Sequence, residues 1–154
     1  MWDEDRTLES GAALAQAQAQ AIGIIRFPIA LPDCIEDAYA VQHHATAVWP
    51  DSISGWKVGR INAGTGLAKD RFVGPIFSHT VTRHNPGGLN PFVVFPHGSA
   101  ALEAELLVKL ANDIAPNRTD WTVDAAAAQV AAVHIGIEVA GSPIAQLEKL
   151  GPLA

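Results

Sequence analysis

The sequence holds a single cysteine, Cys34. No internal disulfide can form, and such sparing use of cysteine fits a reducing cytoplasm and a buried, inert thiol. Positive charge is also scarce. Ten Lys and Arg stand against sixteen Asp and Glu, for a net charge of −6 and a pI near 5.4. With no basic patch to displace counterions, a nucleic-acid partner is excluded. No apolar run approaches the roughly 20 residues of a membrane span. The opening MWDEDRTLES is acidic and lacks the apolar stretch of a secretory signal. No internal repeat and no obvious linker interrupts the chain.

What is present is globular sequence. Of 154 residues, 49% are hydrophobic and 17% charged, enough for one domain with a real core. Leu8, Ala12, Ala15, Ala19 and Ile22 recur at helical spacing, so a first helix is expected over Leu8 to Ile25, with AQAQAQ as a solvated face. PIALP breaks the pattern. Asp33, with Glu36 three residues on as capping-box partner, is expected to open a second helix that runs to about Trp49 and stops at Pro50. ISGWKVG reads as a short strand. Residues 61–90 are rich in Gly and Pro and read mostly as loop with short strands. PFVVFP reads as a strand bounded by prolines. TDWTVDAAAAQVA predicts a third helix capped by Thr122 or Asp120.

The stretch ALEAELLVKL, residues 101–110, poses the main question. Glu103 and Glu105 lie two apart in an apolar run. On a helix they would not face each other, and Leu102, Leu106 and Leu110 fit a helical stripe. On a strand they would share one face, roughly 7 Å apart along the backbone. Leu102, Ala104, Leu106, Val108 and Leu110 would then form the other. The local pattern admits both templates. The later run AAVHIGIEVAG alternates as a strand does, with Val133, Ile135, Ile137 and Val139 on one face and His134, Gly136 and Glu138 on the other. If the two runs share a sheet, Glu103, Glu105 and Glu138 can converge. Three carboxylates suit a hard divalent cation, Mg²⁺ or Mn²⁺; the plainer reading is solvated charge on two amphipathic elements.

DAYAVQ (37–42), GWKVG (55–59), DRFVGPIF (70–77), ALEAEL (101–106) and HIGIEVAGSP (134–143) come in a particular order. That ordered set resembles the 2-keto-4-pentenoate hydratase branch of the fumarylacetoacetate hydrolase family, over nearly the whole chain. The resemblance implies an α+β fold: N-terminal helices over residues 1–50, then residues 51–154 as the first part of a mixed β-roll, one structural unit overall. It implies that ALEAEL is a strand and that Glu103, Glu105 and Glu138 ligate the metal. It also implies that Lys57 lies in the active site, where Gly55 and Gly59 leave room beside the amine. The plainer reading is an exposed lysine resting its stem on Trp56. Many such hydratases carry an Asp where this chain has Phe72, which leaves Asp70 as the nearby general acid or base, against its reading as a turn residue.

The implied function is that of a cytoplasmic, homo-oligomeric hydro-lyase of aromatic-compound catabolism. It would act on a 2-hydroxydienoate or 2-keto acid through a metal-stabilised enolate. Related decarboxylation or C–C hydrolysis is the alternative. Family enzymes continue beyond LEKLGPLA, so a non-catalytic fragment or interaction subunit is a reading of another class. His134 shares the Glu138 face and could hydrogen-bond a ligand there. His43 and His44 are adjacent on a helix, where one of two neighbours usually faces water.

Overall fold

Helix α1 (Glu4–Ala19) begins where Asp3 turns its carboxylate onto the Arg6 N–H at 3.0 Å. Glu4 and Asp5 then meet the positive end of the helix dipole. The helix therefore starts four residues before the expected Leu8. It stops at Gln20, ahead of Ala21 in the left-handed region (φ 53°), well short of Ile25. Gln16, Gln18 and Gln20 face solvent while Ala15 and Ala17 are buried. Coordinates come from a computed structural model, which describes residues 2–27, 31–61, 71–151 and 153, without the Glu148 side chain.

Helix α2 (Ile35–Val48) has Cys34, not Asp33, at its N-cap, with no capping hydrogen bond from that side chain by geometry. The capping box expected from Asp33 and Glu36 does not form, because the extended residue at the boundary (φ −147°) lies one position later. The Asp37 N–H favours the Cys34 thiolate, but the carboxylates of Asp37 and Glu36 and partial burial disfavour it more. The thiol is thus held above its ordinary pKa. Trp49 is extended (ψ 131°), as a residue before proline must be, and ends the helix as expected. The two helices cross at Gly11. A Cβ there would lie 2.9 Å from the His44 ring and 3.0 Å from the Val41 carbonyl oxygen. His44 is half-buried at this crossing and His43 faces solvent.

Strand β1 (Ile53–Arg60) pairs antiparallel with β2 (Arg71–Phe77), Lys57 opposite Gly74 and Gly59 opposite Phe72. The outer edge of β2 is closed by α2. The Val73 N–H donates to Tyr39 Oη at 2.9 Å, and the Val73 carbonyl accepts from Gln42 Nε2 at 3.0 Å. One helix thereby satisfies the donor and the acceptor that a further strand would take. Trp49 packs against Phe77 with ring centroids 5.3 Å apart, fixing the end of α2 to the end of β2.

PFVVFP is not a strand. Its flanking prolines lack the N–H a ladder needs, Phe92, Val93 and Val94 are exposed, and the segment ends in a turn closed by the Gly98 N–H on the Phe95 carbonyl. Strand β3 (Ser99–Leu110) then pairs with β4 (Val130–Ser142). The Ala111 N–H donates to the Gln129 carbonyl beyond one end, and Gly141 lies beside Ser99 at the other, so the strands run antiparallel. Between them, helix α3 (Val123–Ala127) is shorter than expected. Thr122 caps it, accepting from the Ala125 N–H. After β4, Ile144 bridges Ile24, and a last turn, α4 (Leu147–Leu150), follows.

The architecture is α+β, with N-terminal helices and small antiparallel sheets. Contacts group the chain into two compact units: Met1–Ala100 with Gly141–Ala154, and Ala101–Ala140. Among the described residues, the buried apolar set is Ala15, Ala17, Val41, Ile61 and Ile144. No described helix is long and apolar enough to cross a membrane.

Candidate metal centre

The ambiguity of ALEAELLVKL is resolved as strand. What decides it is a partner. The β-branched run of β4 supplies a second strand whose period matches, and pairing satisfies the backbone groups of both. Alternation then puts Glu103 and Glu105 on one face of β3. The same rule puts His134, Gly136 and Glu138 on one face of β4. The carboxylates meet. Oxygen atoms of Glu103, Glu105 and Glu138 all lie within 4.8 Å of one another. Glu105 and Glu138 are half-buried and Glu103 is exposed. The Leu107 side chain lies over Gly136 on the same face, which walls one side of the cluster with hydrocarbon.

The donor set fits a hard cation. Each residue offers carboxylate oxygens, no thiolate or imidazole joins the group, and the spacing lets one ion touch all three.

Lys57 stands in the middle of β1, half-buried, with Gly55 and Gly59 on the same strand face and Gly74 directly across. Of these glycines, only Gly59 has its space filled from across the pair. A Cβ on Gly59 would lie 2.2 Å from the Phe72 ring, so that ring occupies the space above Gly59. At Gly55 a Cβ would meet only Ile76, at an ordinary contact distance of 3.9 Å, so that side of the lysine stays open. By alternation Trp56 belongs to the opposite strand face from Lys57. Asp70 lies outside the described residues.

A polar cluster that the sequence did not single out sits beside β1. The Asp51 side chain is 6% exposed. It accepts from Ser78 Oγ, from the Ser52 N–H at 2.7 Å and from the His79 N–H at 2.8 Å, with His79 Nδ1 at 3.2 Å. This ties the start of β1 to the 3-10 turn Ser78–Thr80 after β2. It is not a nucleophilic triad, because the serine hydroxyl donates to the carboxylate and not to the imidazole. The Ser78 hydroxyl first, then the His79 and Ser52 amides and the His79 charge, hold the Asp51 pKa below the ordinary value of 3.8, against partial burial. The folded pKa is depressed, so the stabilisation is fully present above 3.8 and is lost as pH falls through the folded value. Asp51→Asn is therefore expected to flatten the acid limb of the stability curve. Denaturant midpoints measured from neutral pH down to about pH 2 check this, and parallel curves for the two proteins would refute it.

No protein-family model, no curated protein and no solved structure matches the chain.

Proposed function

We propose that this chain forms the metal-binding part of a cytoplasmic hydro-lyase acting on a 2-hydroxydienoate or 2-keto acid, a member of the fumarylacetoacetate hydrolase family with a roll-type catalytic domain. One observation carries the reading: Glu103, Glu105 and Glu138 bring carboxylate oxygens within 4.8 Å of one another on one face of a two-stranded sheet. Mg²⁺ or Mn²⁺ held there would supply a positive centre for negative charge developing on a substrate oxygen. The three glutamates hold and neutralise the ion. By the family resemblance alone, the Lys57 ammonium would orient the substrate carboxylate or carry a proton. Hydration adds water across a C=C bond, whereas decarboxylation would break a C–C bond with release of CO2, and C–C hydrolysis would break one with water supplying the new carboxylate; all three would draw on the same stabilised negative charge.

Melting curves test the metal directly. A ligand that binds only the folded state raises its stability by RT ln(1 + [L]/Kd), about 2.7 kcal/mol at a hundredfold excess over Kd. The chain is expected to melt at higher temperature in Mg²⁺ or Mn²⁺ than in chelator. Superimposable curves, together with no heat of binding in calorimetry, would sink the site. A non-catalytic interaction subunit is the second reading. It is favoured by the large apolar side chains that β3 and β4 leave exposed, and it expects no turnover of any 2-keto acid.

A further inference from the structure

Oxygen atoms of Glu105 and Glu138 meet within 4.8 Å, and the Leu107 side chain lies over Gly136. In an antiparallel pair one strand counts up while the other counts down, so the relation that joins 105 to 138 and 107 to 136 joins 109 to 134 next. Both strands run unbroken through these positions. Lys109 and His134 therefore stand side by side on the carboxylate face, about 7 Å beyond Leu107 and about 13 Å along the strands from Glu105 and Glu138. Both are exposed. They are the only basic residues on the two strands, in a chain of net charge −6. Neighbours across a sheet usually match acid with base or apolar with apolar. Here one N–H donor group stands beside another. A side chain at 136 would run into Leu107, so glycine lets the leucine cover the ribbon between the two polar ends. Along the strands the face thus presents carboxylates, then hydrocarbon, then a basic pair.

We propose that Lys109 and His134 are specificity-determining residues. They hold a second carboxylate at the far end of a substrate whose 2-keto acid head is bound at the glutamate cluster, which makes the substrate a dicarboxylate. The inference rests on the function proposed above and narrows its substrate class. The span fits. An extended seven-carbon diacid measures roughly 8 Å between its end carbons. A metal–oxygen contact of ~2 Å at the head and a hydrogen bond of ~3 Å at the tail extend its reach to the ~13 Å between the two polar ends. The middle fits as well. The carbons between the two carboxylates would lie on Leu107, where contact with hydrocarbon removes both from water. Charge fits too. A distal carboxylate finds an ammonium and an imidazole N–H together here, and the two strands carry no other cation. A monocarboxylate of the same length would bring an apolar end to these donors and gain nothing from them.

Calorimetry on the Mn²⁺-loaded chain tests this with two probes of equal length, 2-oxoheptanedioate and 2-oxoheptanoate. Both are saturated, so neither can be hydrated. The diacid is expected to bind about ten- to a hundredfold tighter, the range for charge-assisted hydrogen bonds to one carboxylate. Lys109→Met and His134→Val should each narrow that ratio, and the double variant should bring it to about one. Lys109→Arg keeps the charge at the same exposed strand position and should keep the preference. A Mn²⁺ titration of each variant shows whether the glutamate cluster is intact. Equal affinity for the two probes on a chain that binds Mn²⁺ would overturn the subsite and leave the metal-centred reading standing. So would a diacid preference that survives the double variant. A chain that binds no Mn²⁺, or binds Mn²⁺ and neither probe, would overturn both.

Discussion

Glu105→Gln is expected to weaken Mn²⁺ binding at least about a hundredfold. Loss of a mere hydrogen-bond partner to a metal ligand costs ten- to a hundredfold in affinity, and loss of a ligating charge should reach the top of that range or pass it. The amide keeps the shape of the side chain and its place on the strand, so the ribbon itself should survive, as far-ultraviolet circular dichroism would register. Glu105 is the most telling of the three positions. It is half-buried, it shares a strand face with Glu103, and its oxygen lies within reach of both other carboxylates. Calorimetric titration with Mn²⁺ checks the outcome. Unchanged affinity in Glu105→Gln would mean that the cluster is solvated surface charge.

Lys57→Ala should behave differently. Metal affinity should match that of the parent, because the carboxylates are untouched. Turnover of a 2-hydroxydienoate, followed by loss of its ultraviolet absorbance, should fall by about a hundred- to ten-thousandfold, the range for a positioned proton donor or acceptor. Excess metal should restore activity in Glu105→Gln and leave Lys57→Ala where it was. Full turnover in Lys57→Ala would make the lysine structural, a filler between Gly55 and Gly59.

The two site elements were readable in the sequence to different degrees. The strand around Lys57 was readable because G-x-K-x-G carries its own alternation; a role for the lysine came only from the family resemblance. The Glu pair was not readable locally. Good helix formers and a leucine stripe made a helix an equal choice, and only pairing with a segment about 30 residues later decided for strand. PFVVFP failed for the converse reason: strand-like composition with no partner to pair with. Helix ends were missed by the few residues over which caps compete. Asp3 takes the Arg6 amide, while Asp33 loses its place to Cys34. Asp51 gave no signal at all. Between a proline and a serine it reads as a turn residue, and its partners Ser78 and His79 come 27 and 28 residues later.

The docking of α2 on Val73 also has a consequence in time. Val73 sits in a strand, yet its amide hydrogen is held by a tyrosine hydroxyl and not by the sheet ladder. It can exchange with solvent when the helix lifts, even while β1 and β2 stay paired. Its exchange rate is therefore a clock for the helix, set apart from neighbours whose hydrogens are released only when the hairpin opens.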